Sequence, residues 1–157
     1  MKEALSGRMR GILLPEWDTL PDFGLYMDQV MTYLTRCFSG LGRSELAGLT
    51  PAMINNYVKN GLVNRPQGKK YGRDSLAQML MICVLKQTMS LQDLSKLLHP
   101  ADGAETGALY TIFREEQQRL TEALCSRETP DALTCALEAA SRQILCSLLL
   151  EDAAGEG

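Results

Sequence analysis

The chain has a single histidine, His99, and its five cysteines (Cys37, Cys83, Cys125, Cys135 and Cys146) are odd in number, with no pair at C-x-x-C spacing. A zinc centre needs about four clustered Cys, His or carboxylate ligands, and a disulfide framework needs paired cysteines. Neither pattern is present, so we expect no metal, no cofactor and reduced thiols packed as small apolar groups. Enzyme signatures are missing too: there is no glycine-rich phosphate loop, no G-x-S-x-G and no H-E-x-x-H. Asp22 and Asp28 read as ordinary solvated acids and His99 as a residue at a helix C-terminus, where an imidazole suits the dipole. The sequence therefore points away from catalysis. The uninterrupted apolar runs, such as Met79–Cys83 and Leu148–Leu150, fall far short of the roughly 20 residues a membrane span needs. The stretch Ile12-Leu13-Leu14 before Pro15 is too short for the core of a secretory signal. The expectation is a cytoplasmic protein that does not associate with membranes.

What the chain does have is an apolar fraction of 45% in 157 residues, enough for one core. Its net charge of −3 is unevenly spread. Residues 1–42 carry −1. Residues 43–96 hold eight basic and three acidic groups, and residues 97–157 hold four basic and eleven acidic. The middle can meet a polyanion that the last third would repel.

The spacing predicts an all-α chain in four parts. Residues 1–24 form an irregular lead-in, 25–100 the main domain, 101–150 a helical pair and 151–157 a frayed tail. Within these, periodicity predicts helices at about 25–38, 51–60, 75–87 and 104–126, a last helix restarted by Thr129 and Pro130 in the manner of a cap and a first-turn proline, and a helical turn over 43–47. Ser75 with Gln78 and Ser90 with Asp93 read as helix starts. Ile112, Leu120, Leu133, Leu137, Ile144 and Leu148 fall on the apolar faces of the last two helices. Intramolecular packing and contact with a second copy or a partner stand equally for the last four.

The clearest local signal spans 50–76. Thr50 is a good N-cap, Pro51 suits the first helical position and Gly61 suits the stop. Met53, Ile54, Tyr57 and Val58 form the apolar face of the helix between them, with Asn55, Asn56 and Lys59 opposite. A basic Gly/Pro loop follows, Leu62–Gly72, long enough for a tight hairpin. Asparagine amides suit base edges in a major groove, and Lys or Arg on a loop suits phosphates or a minor groove. A solvated helix with ordinary surface lysines accounts for the same residues equally well.

Met53-Ile54-Asn55-Asn56-Tyr57-Val58-Lys59-Asn60-Gly61-Leu62-Val63, Lys69-Lys70-Tyr71 and Val84-Leu85-Lys86-Gln87 resemble a bacterial family known as a domain of unknown function, number 1836. Leu25-Tyr26-Met27-Asp28-Gln29-Val30 is similar to the same family. That family in turn resembles the DNA-binding domain of MerR-type regulators. The resemblance implies a MerR-like helix-turn-helix with a small wing, at most a short β-hairpin, plus additional C-terminal helices. It makes 51–60 a recognition helix and 64–73 a basic wing of a DNA-binding transcriptional regulator. Thr50, Ala52, Asn55, Asn56, Lys59, Arg65, Lys69, Lys70, Tyr71 and Arg73 become the candidate DNA contacts. The implied partners are double-stranded DNA and a second copy, with Leu133, Leu137, Ile144 and Leu148 as the dimer or partner surface. The sequence departs from the MerR pattern in having Asn55-Asn56 where a basic pair is usual, and it lacks the usual long dimerisation helix. A helical protein–protein interaction module of the same fold, without DNA binding, is the alternative.

Overall fold

A computed structural model describes residues 2–12, 14–41, 48–99, 103, 105–129 and 131–155. Among them lie seven α-helices: α1 (Glu3–Met9), α2 (Met27–Phe38), α3 (Pro51–Lys59), α4 (Arg73–Leu85), α5 (Leu91–Leu98), α6 (Thr106–Cys125) and α7 (Ala132–Gly155). Short 3₁₀ turns occur at Trp17–Thr19 and Ser39–Leu41. The described residues contain no β-sheet, only two isolated antiparallel bridges, Leu25 with Tyr71 and Gln67 with Lys70. The all-α expectation holds. The helical turn expected over 43–47 lies outside the described residues.

α4 is the axis of the fold. Every residue from Ser75 to Cys83 is buried, as in a helix that is wrapped on all sides rather than laid on a surface. α2 covers it with Val30, Leu34 and Phe38, α3 with Ile54 and Tyr57, α5 with Leu94 and Leu98, and α6 with Tyr110. Each fully buried Leu, Ile or Met here contributes about 1.5–3 kcal/mol of transfer free energy. Burial pushes the Cys37 thiol up to about 11 and the Cys83 thiol to about 12. Both sit in the core as neutral apolar groups.

The lead-in is more ordered than expected, since Glu3–Met9 is helical. Gly11 crosses Gly40 so closely that a β-carbon on Gly11 would lie 2.5 Å from the Gly40 carbonyl carbon. Further along, the buried Tyr110 hydroxyl donates to the Pro15 carbonyl at 2.7 Å, and the Arg114 Nε to the Leu14 carbonyl at 2.8 Å. These bonds hold the lead-in on α6.

Several helix faces differ from the periodic reading. α4 begins at Arg73 with Gly72 as N-cap, so Ser75 and Gln78 are not a capping box. Both are buried and serve Asn64 instead. Ile112 and Leu120 are exposed. α7 runs on to Gly155, through the stretch expected to fray, and has no buried residue. It touches the rest through Cys146 and Leu150, with Ser147 donating to the Asp93 carboxylate at 2.8 Å. Leu133, Leu137, Ile144 and Leu148 face solvent, each more than half exposed. By length and composition α7 could also cross a membrane, at a mean hydropathy of 1.3, which the uninterrupted apolar runs did not reveal. Glu138 and Arg142 sit in its middle.

Candidate nucleic-acid interface

α3 is fixed at both ends by local chemistry. The Thr50 hydroxyl accepts from the Met53 amide at 3.2 Å, and Pro51 occupies the first turn. At the other end Gly61 takes a φ of +75°, a left-handed conformation that glycine adopts without a steric penalty. The Leu62 amide then reaches back to the Tyr57 carbonyl at 2.9 Å and the Gly61 amide to the Val58 carbonyl at 3.1 Å, which is a Schellman closure. Ile54 and Tyr57 are buried, while Ala52, Asn55, Asn56 and Lys59 are exposed. The Asn60 amide donates to the Asn56 side-chain oxygen at 3.1 Å, so that asparagine is already engaged. Asn55 has no side-chain hydrogen-bond partner among the described residues.

The loop after α3 is a tight hairpin. The Gln67 amide donates to the Lys70 carbonyl at 2.9 Å and the Lys70 amide to the Gln67 carbonyl at 3.2 Å. Only the first central residue, Gly68, has a positive φ (+64°), which marks a type II′ turn with Lys69 at its tip. A part-buried clamp, formed by the buried Ser75 and Gln78 on the exposed Asn64, holds the stem. The Asn64 amide donates to Gln78 Oε1 at 2.8 Å, Ser75 Oγ to the Asn64 carbonyl at 3.0 Å, and Gln78 Nε2 to Asn64 Oδ1 at 3.2 Å. The far strand is stitched to the lead-in by reciprocal bonds between Leu25 and Tyr71 at 2.9 and 2.8 Å.

The hairpin and the start of α3 thereby stand side by side. Between them and α2 lies an open, mainly apolar groove of about 710 Å³, lined by Tyr26, Met27, Met31, Pro51, Pro66 and Lys69 among others. Lys59, Arg65, Lys69 and Lys70 are exposed, and none forms an ion pair among the described residues. The Lys70 ammonium stands 5.3 Å from the centre of the Tyr26 ring.

Two of the expected contact residues lie elsewhere. Tyr71 is 6% exposed and belongs to the core, where burial pushes its phenol above the ordinary range. Arg73, at the first turn of α4, points back to the lead-in. Its Nε donates to the Leu20 carbonyl at 3.2 Å, its guanidinium lies 5.5 Å from the centre of the Trp17 ring, and Asp22 stands 3.8 Å away. That arginine ties the lead-in down, and it lines one pocket with Arg65, Lys70, Asp22 and Asp74. Phe23, which spacing and charge did not single out, and Tyr26 lie on either side of the segment Gly24-Leu25, whose Leu25 is bonded to the hairpin. Phe23 is 69% exposed and Tyr26 48%.

A helical domain with one outward helix and one buttressed basic hairpin is the class these features define. The chain belongs to the family described as Domain of unknown function (DUF1836), whose model matches residues 15–113. That span takes in the lead-in strand, α2 to α5, the hairpin and the first part of α6. Comparison with curated proteins and with solved structures gives no match.

Proposed function

We propose that this protein is a sequence-specific DNA-binding transcriptional regulator, with α3 as recognition helix and the 64–72 hairpin as wing of a MerR-like helix-turn-helix. One observation carries the reading: four exposed cations on α3 and the hairpin that follows it, Lys59, Arg65, Lys69 and Lys70, form no ion pair among the described residues, and the acids that share a pocket with Arg65 and Lys70 are Asp22 and Asp74 alone. Carboxylates normally neutralise part of such a cluster, and a phosphate backbone supplies the missing charge. Asn55, with its amide uncommitted, reads base edges in the major groove. Thr50, Ala52 and Asn56 border it, and Lys59 meets the backbone. Lys69 and Lys70 follow phosphates from the hairpin tip.

One such module offers limited contact area, and two copies on a two-fold site double it. The stripe Leu133, Leu137, Ile144 and Leu148 on α7 supplies the dimer contact, on the acidic third of the chain. The protein works in the cytoplasm, without a cofactor and without a catalytic step.

The rival reading, a protein-docking module of the same fold, draws on that exposed apolar stripe, but it leaves the cations without a role. Titrating the full chain with labelled random duplex at two ionic strengths separates the readings. The expected result is binding at low salt that weakens steeply at high salt. Absence of binding at low salt overturns the regulator reading.

A further inference from the structure

The lead-in strand beside the hairpin carries an aromatic residue that the fold positions but does not use. Leu20 and Leu25 are buried on either side of Phe23, so the intervening bend is anchored at both ends. Arg73 holds the Leu20 carbonyl, and Tyr71 exchanges two backbone hydrogen bonds with Leu25. Gly24 presses directly on the hairpin: a β-carbon there would lie 2.5 Å from the Lys70 β-carbon. Lys70 in turn projects over the Tyr26 ring. Phe23 therefore sits at the apex of a held bend with 69% of its surface in water. An exposed phenyl ring on a fixed backbone gains contact area on binding without much ordering cost.

Resting on the duplex-binding reading above, we propose that Phe23 is a wedge that enters a base step of bound DNA from the minor groove beside the hairpin. Duplex DNA is the occupant that fits, because Lys69 and Lys70, on the turn that the bend is bonded to, form no ion pair among the described residues, while Asp22 beside Phe23 is paired with Arg73 at 3.8 Å. Apolar side chains next to groove-tracking cations unstack and kink base steps in this way. Lys70, propped by Tyr26, keeps the nearest phosphate in place while the ring enters. Gly24 is the positioning residue, since any side chain there pushes the bend off the hairpin.

The test compares the wild-type chain with Phe23→Ala on duplexes carrying 2-aminopurine, in a salt titration. Phe23 packs on little, so the circular-dichroism melt of the variant should match that of the wild type. The wild type should raise 2-aminopurine fluorescence at one or two steps of its site. Phe23→Ala should bind about tenfold or more weakly at every salt concentration, keep the wild-type salt slope and lose the fluorescence rise. Gly24→Ala should reproduce part of that loss. Wild-type binding with equal affinity and equal fluorescence in Phe23→Ala overturns the wedge and leaves the duplex reading standing. A shallower salt slope in Phe23→Ala also overturns it, because the phenyl ring would then act only by placing cations. A wild type that binds no duplex at low salt removes the duplex reading and the wedge with it.

Discussion

Replacing Lys69 and Lys70 together with alanine tests the basic face where its geometry is best defined. Both lysines are exposed, neither forms an ion pair among the described residues, and Lys69 is at the tip of the type II′ turn. Each lysine that neutralises a phosphate releases close to one counterion, so the pair should flatten the slope of log K against log salt by about 1.8. Between about 50 and 200 mM salt that difference amounts to roughly tenfold, by which the wild type should lose more affinity than the variant. The fold should survive, because the stacking of the Lys70 ammonium over the Tyr26 ring is worth only about 0.5–1 kcal/mol at an exposed site. Arg73→Ala is the internal control. Its guanidinium serves Leu20 and Trp17, so its removal should lower the melting temperature and leave the slope nearly unchanged. Fluorescence anisotropy on a labelled duplex over a series of salt concentrations gives both slopes. An unchanged slope in the double lysine variant, or an equal flattening in Arg73→Ala, refutes the assignment of phosphate contacts to the hairpin.

Gln78→Leu should cost about 0.5–1.5 kcal/mol in denaturant unfolding, because it removes two part-buried hydrogen bonds to Asn64; a loss below the error of the measurement would mean that water replaces the glutamine. The wild-type chain should sediment as a dimer and Leu137→Glu with Leu148→Glu as a monomer, and a monomeric wild type would remove α7 as the self-association surface. Stability should fall as pH rises above about 9. Burial holds the Cys37 and Cys83 thiols at about 11 and about 12 in the fold. Between the ordinary thiol value and those values the unfolded chain has released protons that the folded chain retains, which favours unfolding. Cys83→Ala should flatten that alkaline decline, as read by urea midpoints across the pH series.

Residues whose structure is decided within one turn of chain were legible in advance. Thr50, Pro51 and Gly61 fix α3 through a cap, a pre-set φ and a left-handed glycine, and each of those effects acts between near neighbours. Ser90 caps α5 through the Asp93 amide at 3.2 Å for the same reason. Ser75 and Gln78 had an equally good local pattern and were misread. Gly72 begins the helix before them, and both side chains turn instead to the exposed Asn64. Ser75 and Gln78 are themselves buried, and a buried polar side chain left unpaired costs more than a missing cap is worth, so the tertiary demand prevailed. The apolar stripe of α7 stayed open between core packing and a partner surface for a different reason. The helix carries apolar residues around most of its circumference and rests on α5 only along the line of Cys146 and Leu150. Periodicity can find a stripe, but it cannot say which of several stripes meets the core.

Counting charge overstated the basic footprint, and position corrects it. Between residues 50 and 90 the chain has six basic side chains. Arg73 is turned into the lead-in and Lys86 is half-buried beyond the end of α4, leaving Lys59, Arg65, Lys69 and Lys70 on the outward face. Phe23 shows the converse: it joins that face only because Leu25 pairs with Tyr71, a contact between residues 46 positions apart that no local pattern announces. Four cations per protomer set a ceiling of about −3.6 on the salt slope of a single copy, and about −7 for two copies on one site. A measured slope well beyond the single-copy ceiling therefore reports two protomers on the duplex, whereas a slope at or below it from a chain that sediments as a dimer means that the second basic face is turned away from the DNA. The salt dependence of one binding reaction thus tests the count of outward cations and the placement of the dimer contact on α7 together.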